Sequence, residues 1–134
     1  MPLTRISVSQ NVFERCQSDI SAILQHCLET HFDVPSGDCF QLFDIHQPQQ
    51  KVFDVRYPNL RTGRSDDAVL FHIIAGKPRS HAQKRALYQA LCQHLQRNTN
   101  LSEEDIMVII QFNQAEDWSF SSGHSWQDEM EATQ

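Results

Sequence analysis

Val69-Leu70-Phe71-His72-Ile73-Ile74-Ala75 opens the more regular half of this chain. It is rich in β-branched and aromatic residues and apolar at both parities, so it reads as a strand buried on both faces, and Gly76 ends it. Ser80-x-x-Gln83 then supplies a capping box for a helix whose stripe, Ala82, Ala86, Leu87, Ala90, Leu91 and Leu95, ends near Asn98. Residues 105–112, Asp-Ile-Met-Val-Ile-Ile-Gln-Phe, form another two-sided apolar strand. Strand, helix and strand of these lengths make a βαβ unit.

The same unit stands earlier in the chain. Residues 2–8 read as a short strand, and Asn11-x-x-Glu14 gives a capping-box signature. The stripe Val12, Cys16, Ile20, Ile23, Leu24, Cys27, Leu28 and Phe32 runs along a helix to about His31. Val34-Pro35-Ser36-Gly37-Asp38 breaks it, and the pattern turns β-like from Cys39 to about Ile45. Leu3 and Leu70, Ile6 and Ile73, Leu24 and Leu91, Leu28 and Leu95, and Asp38 and Asp105 all lie 67 residues apart. The expected fold is therefore α/β (α+β): two repeated βαβ units, about 2–46 and about 68–112, forming one mixed sheet in a single domain, 1–134. Crossover handedness sets both helices on one face, leaving the other for self-association to cover. Between the units, after the polar turn His46–Gln50, Lys51 to Val55 is expected to be a hairpin partner strand, and a polar loop fills the rest of 47–67. The tail, 113–134, is short and aromatic at Trp118-Ser119-Phe120 and Trp126, with a polar, frayed end.

With 134 residues, 40% hydrophobic and 21% charged, the chain has the composition of one ordinary globular domain. It shows no apolar run long enough for a membrane span and no secretory signal, so the cytoplasm is the expected location and no membrane partner is expected. A net charge of −6 argues against broad attraction to nucleic acid. The cysteines Cys16, Cys27, Cys39 and Cys92 form no CxxC pair and read as reduced, buried thiols. Seven histidines without an HExxH motif give no metal-ligand pattern, so neither metal nor cofactor is expected.

Two short stretches carry chemistry. If Met1 is removed, Pro2 becomes an amino-terminal secondary amine with a reference pKa of about 7.7–8.0, able to accept or donate a proton near neutral pH. Lys77-Pro78-Arg79 lies between the second central strand and its helix. An extended tripeptide there sends both cations to one side, beside a helix N-terminus, where a carboxylate or phosphate would be welcome. The repeat brings this loop near Pro2. A cation about 6 Å from the Pro2 nitrogen, at an effective dielectric of about 20, lowers its pKa by about two units.

These stretches, with Met1-Pro2-Leu3, Val34-Pro35-Ser36-Gly37-Asp38, Lys77-Pro78-Arg79-Ser80 followed by Gln83-Lys84, and Asp117-Trp118-Ser119-Phe120, make the chain resemble the tautomerase superfamily over nearly its whole length. It looks closest to the branch containing malonate semialdehyde decarboxylase. The resemblance implies that Pro2 is the catalytic amine, that Arg79 binds a substrate carboxylate, and that Asp38 activates water or polarises the substrate. It implies that Trp118 and Phe120 wall the pocket and that the protein is a homotrimer. Lys77 stands where the decarboxylase pattern has a second arginine, keeping the charge without the planar fork.

Three functions are open to such a chain. The first is a cofactor-independent tautomerase in which neutral Pro2 moves a proton α to the carbonyl of a small 2-oxo carboxylate held by Arg79 and Lys77. The second is a decarboxylase or hydratase with protonated Pro2 and Asp38. The third is a non-catalytic ferredoxin-like binding module, which shares the element order but demands surface aromatics in a basic setting that this chain lacks.

Overall fold

The computed structural model describes residues 1–133. Strands β1 (Pro2–Ser9), β2 (Phe40–His46), β3 (Val69–Ala75) and β4 (Ile106–Phe112) form one sheet in the order β2-β1-β3-β4. β1 pairs parallel with β2 and β3 parallel with β4, while β1 and β3 run antiparallel with Pro2 opposite Ala75 and Leu3 opposite Ile74. Helix α1 (Gln10–His31) joins the first pair and α2 (His81–Thr99) the second. The 67-residue repeat is thus the pseudo-symmetry of the sheet.

Burial follows the periods read from the sequence. Ile6 and Val8 on β1 and Phe71 and Ile73 on β3 are buried beneath Val12, Ile20, Leu24 and Leu28 of α1 and Leu87, Leu91 and Leu95 of α2. Each such side chain contributes about 1.5–3 kcal/mol by leaving water. Ile23 is only partly buried. Ser80 and Gln83 form the expected reciprocal cap, with Gln83 N–H donating to Ser80 Oγ at 3.1 Å and Ser80 N–H to Gln83 Oε1 at 2.9 Å. At α1 the cap is Ser9, not Asn11, because the strand stays extended to Ser9 and the helix starts at once; Val12 N–H donates to Ser9 Oγ at 3.1 Å.

Three further expectations change. Residues 51–55 form no strand: Val52 is 89% exposed, and side chains order the connection instead. Lys51 Nζ donates to the Asp66 and Ala68 carbonyls, and Glu104 accepts the amides of Arg61, Thr62 and Gly63, each at 2.8 Å, which hold its carboxyl below the usual range. The outer face of β3 is mixed rather than apolar, since His72 bonds Gln111 and, on the neighbouring strands, Arg5 grips Asp44 through two bonds of 3.0 and 3.1 Å. The tail ends in a helix, α3 (Trp126–Ala132), capped by Ser125 Oγ, which accepts from Asp128 N–H at 3.0 Å. Of the thiols, Cys16 and Cys27 are buried, Cys39 is exposed and Cys92 half-buried; burial pushes the Cys27 thiol up to about 11. Among the described residues no helix is long and apolar enough to cross a membrane.

Candidate active site

Because the two parallel pairs are antiparallel to each other, the starts of β1 and β2 meet the ends of β3 and β4 at one end of the sheet. Four sequence-distant segments gather there. They are the chain start, the turn before β2 that carries Asp38, the Gly76–Arg79 loop, and the tail after β4.

The terminal amine is the centre of the cluster. The Met1 ammonium donates to Asp38 Oδ2 at 2.6 Å, a charge-assisted bond in a partly buried setting. Pro2 is buried next to it as the first residue of β1. Covalent geometry puts the Pro2 nitrogen within about 6 Å of that carboxylate oxygen. Asp38 is held from behind by α1, whose Gln25 donates from Nε2 to the Asp38 carbonyl at 3.1 Å and to Glu29 Oε2 at 3.0 Å.

Arg79 turns toward the C-terminus of α1. Its Nη2 donates to the Phe32 carbonyl at 2.6 Å, its Nη1 to the Lys77 carbonyl at 2.8 Å, and its guanidinium carbon lies 5.0 Å from the centre of the Phe32 ring. Burial pulls this group below the ordinary arginine range, and the negative charges of Asp33 and Asp38 oppose that pull. A guanidinium has five N–H donors, so part of the fork is still available to a ligand. Lys77 behaves differently. It is exposed, and among the described residues its ammonium has no hydrogen bond or ion pair. The expected convergence of two cations gives way to a division, because the α1 carbonyl and the Phe32 ring claim Arg79 alone. The charge that pairs with the Met1 ammonium is the Asp38 carboxylate.

The tail supplies an aromatic cluster beside these groups. Trp118 donates from Nε1 to Asn113 Oδ1 at 2.6 Å and stacks on Phe120 at 5.5 Å between ring centres. Phe120 also meets Phe40 at 5.6 Å and Trp126 edge-on at 5.4 Å. Gly76, buried at the end of β3, lies beneath both Met1 and Trp118: a Cβ there would collide with the Met1 thioether end and stand 2.9 Å from Trp118 Nε1. Sequence reading missed Gln25, Gly76, Asn113, Phe40 and Trp126. The glycine and the Trp126 aromatic were visible in the sequence, but only their place in space gives them a part in the site.

A family model described as tautomerase enzyme matches residues 38–121, from Asp38 through the stacked Trp118 and Phe120. The chain belongs to the tautomerase family. Two curated proteins of Bacillus subtilis (strain 168) are similar to this tautomerase-superfamily enzyme. The probable tautomerase YusQ is 26% identical, with 93% of this chain and 97% of that protein covered. The probable tautomerase YrdN is 23% identical, covering 93% and 95%. Among solved structures, malonate semialdehyde decarboxylase superposes with a TM-score of 0.85 at 26% identity over 96% of this chain and 98% of its own. That protein was solved as wild type, inactivated, and as a mutant with its first proline changed to alanine, to explain decarboxylase and hydratase activities. The mixed sheet with both helices on one face is the tautomerase fold.

Proposed function

We propose that the processed chain, with Pro2 at its amino terminus, is a cofactor-independent decarboxylase or hydratase of a small oxo carboxylate that uses Pro2 as an ammonium acid. The observation that carries this reading is the position of Asp38, whose Oδ2 takes the Met1 ammonium at 2.6 Å and so lies within about 6 Å of the Pro2 nitrogen. Once Met1 is removed, a carboxylate at that range would act on Pro2 as an opposite charge that stabilises the ammonium form. Arg79 takes the substrate carboxylate, Trp118 and Phe120 exclude water, and Lys77 at the rim adds long-range attraction.

With a 3-oxo acid, the Pro2 ammonium donates to the carbonyl oxygen. The bond between the α-carbon and the carboxylate breaks, its electron pair forms the enol that the Pro2 proton completes, and carbon dioxide leaves; water then protonates the α-carbon, the enol proton returns to Pro2, and the hydroxide left joins carbon dioxide as bicarbonate. Asp38 keeps the amine charged and orients water for the hydratase variant. Keto-enol tautomerisation by a neutral Pro2 is the second reading. It draws on the opposing charge of Arg79, which shares the field of Asp38, and on the names of the two Bacillus relatives. The test joins a nitrogen NMR titration of Pro2 to assays on malonate semialdehyde and on an enol pyruvate. A protonated amine at pH 7 with release of carbon dioxide is expected. A neutral amine with enol-keto turnover replaces the first reading by the second, and turnover of neither substrate returns the chain to the class of binding modules.

The proposed assembly is the homotrimer that the resemblance implies. Alternation and register assign Leu3, Leu70, Ile74, Met107 and Ile109 to the face of the sheet opposite the helices, where Ile109 is 47% exposed, and these residues flank the polar row of Arg5 and His72. Sedimentation equilibrium should give three times the 15.5 kDa chain mass. A monomer at micromolar concentration would discard the trimer.

A further inference from the structure

The backbone amide of Gly76 has a partner that processing removes. Gly76 is buried, and its N–H donates to the Met1 carbonyl oxygen at 3.3 Å. That carbonyl is bonded to the Pro2 nitrogen, so its oxygen lies about 2.2 Å from the nitrogen by covalent geometry. Excision of Met1 exposes the amine and takes the acceptor from Gly76 in the same step. Both donors are then directed at one small volume, and a buried N–H without an acceptor is costly enough that an oxygen is drawn to it.

The surroundings suit a substrate oxygen. With no Cβ at position 76, the Trp118 indole closes directly over the backbone, and its own N–H is engaged by Asn113, so it walls the space without competing for the oxygen. Building on the function proposed above, the geometry points to the Gly76 N–H as a second catalytic donor, which with the Pro2 ammonium grips the carbonyl oxygen of a small oxo acid. That oxygen takes the place held by the Met1 carbonyl oxygen in the unprocessed chain. Donors fixed in the backbone are worth most as negative charge develops on the oxygen, because they need no reorganisation. The ligand class is narrowed accordingly to acids with a carbonyl beside the carboxylate-binding end, as distinct from simple carboxylates.

Amide NMR of the processed wild-type protein tests this with 2-oxobutyrate and butyrate as probes. The oxo acid is expected to move the Gly76 amide proton downfield and slow its exchange. Butyrate is expected to perturb Arg79 while leaving Gly76 unmoved, and the Met1-retaining chain to show no Gly76 response. Replacing the Ala75–Gly76 amide by an ester, which deletes the donor, should lower kcat by about 10²- to 10³-fold with KM little changed. If 2-oxobutyrate perturbs Arg79 but not Gly76, or if the ester keeps the wild-type kcat, the Gly76 assignment is overturned and the enzymatic reading stands. If neither acid binds the processed chain, both fall together.

Discussion

Retention of Met1 should reduce kcat/KM by about 10²- to 10⁴-fold, the range associated with losing a positioned acid or base, while the fold stays intact. Two independent effects converge. In the unprocessed chain the Pro2 nitrogen is an amide with no proton to give and no basicity, whatever its surroundings. Met1 also fills the site, with its ammonium on Asp38, its carbonyl on Gly76 and its thioether end against Gly76 and Trp118. The comparison is between protein made with methionine aminopeptidase active and inhibited, the two forms identified by mass spectrometry and assayed on malonate semialdehyde and an enol pyruvate. The same secondary structure by circular dichroism is expected of both, since the ladders that join β1 to β2 and β3 begin at Leu3 and Pro2 and do not include Met1. Equal turnover by the two forms would end the case for Pro2.

Arg79→Met has the next largest consequence, and it acts on two properties at once. Losing charged hydrogen bonds to a substrate carboxylate costs about 1.5–3 kcal/mol, which lowers kcat/KM by about 10- to 150-fold, chiefly through KM. The same substitution strips the Phe32 carbonyl of its 2.6 Å donor and the Phe32 ring of its cation, so the unfolding midpoint should fall as well. Arg79→Lys separates the two roles. It restores a charge near the site but not the fork, so affinity should recover in part while the clamp on α1 does not. A wild-type KM in Arg79→Met would mean that the substrate carboxylate is held elsewhere, with exposed Lys77 the first alternative.

The duplicated halves show where sequence reading stopped. Leu3 and Leu70 or Leu28 and Leu95 keep the same work in both copies, because packing depends on local period and apolar volume, which repeat with the sequence. Asp38 and Asp105 do not. Asp38 meets the chain terminus, whereas Asp105 is 3% exposed and accepts from Ser65 N–H at 2.7 Å and Ser65 Oγ at 2.6 Å, pinning the connection between the halves. The same residue type at the same place in the repeat pairs with the chain terminus in one copy and with a loop in the other, decided by which distant segment reaches it.

Periodicity and capping are written in near neighbours, so the pair of βαβ units, the core stripes and the α2 cap were legible in the sequence, while Pro2, Asp38, Lys77, Arg79, Trp118 and Phe120 were legible only as candidates. Folding in three dimensions added that Arg79 reaches back 47 residues to Phe32, that Asp38 pairs with the Met1 ammonium, and that Gly76 underlies Met1 and Trp118. Those facts depend on four chain segments meeting at one sheet end. The direction of a long side chain there is set by the carbonyls and rings it finds, which no local pattern encodes.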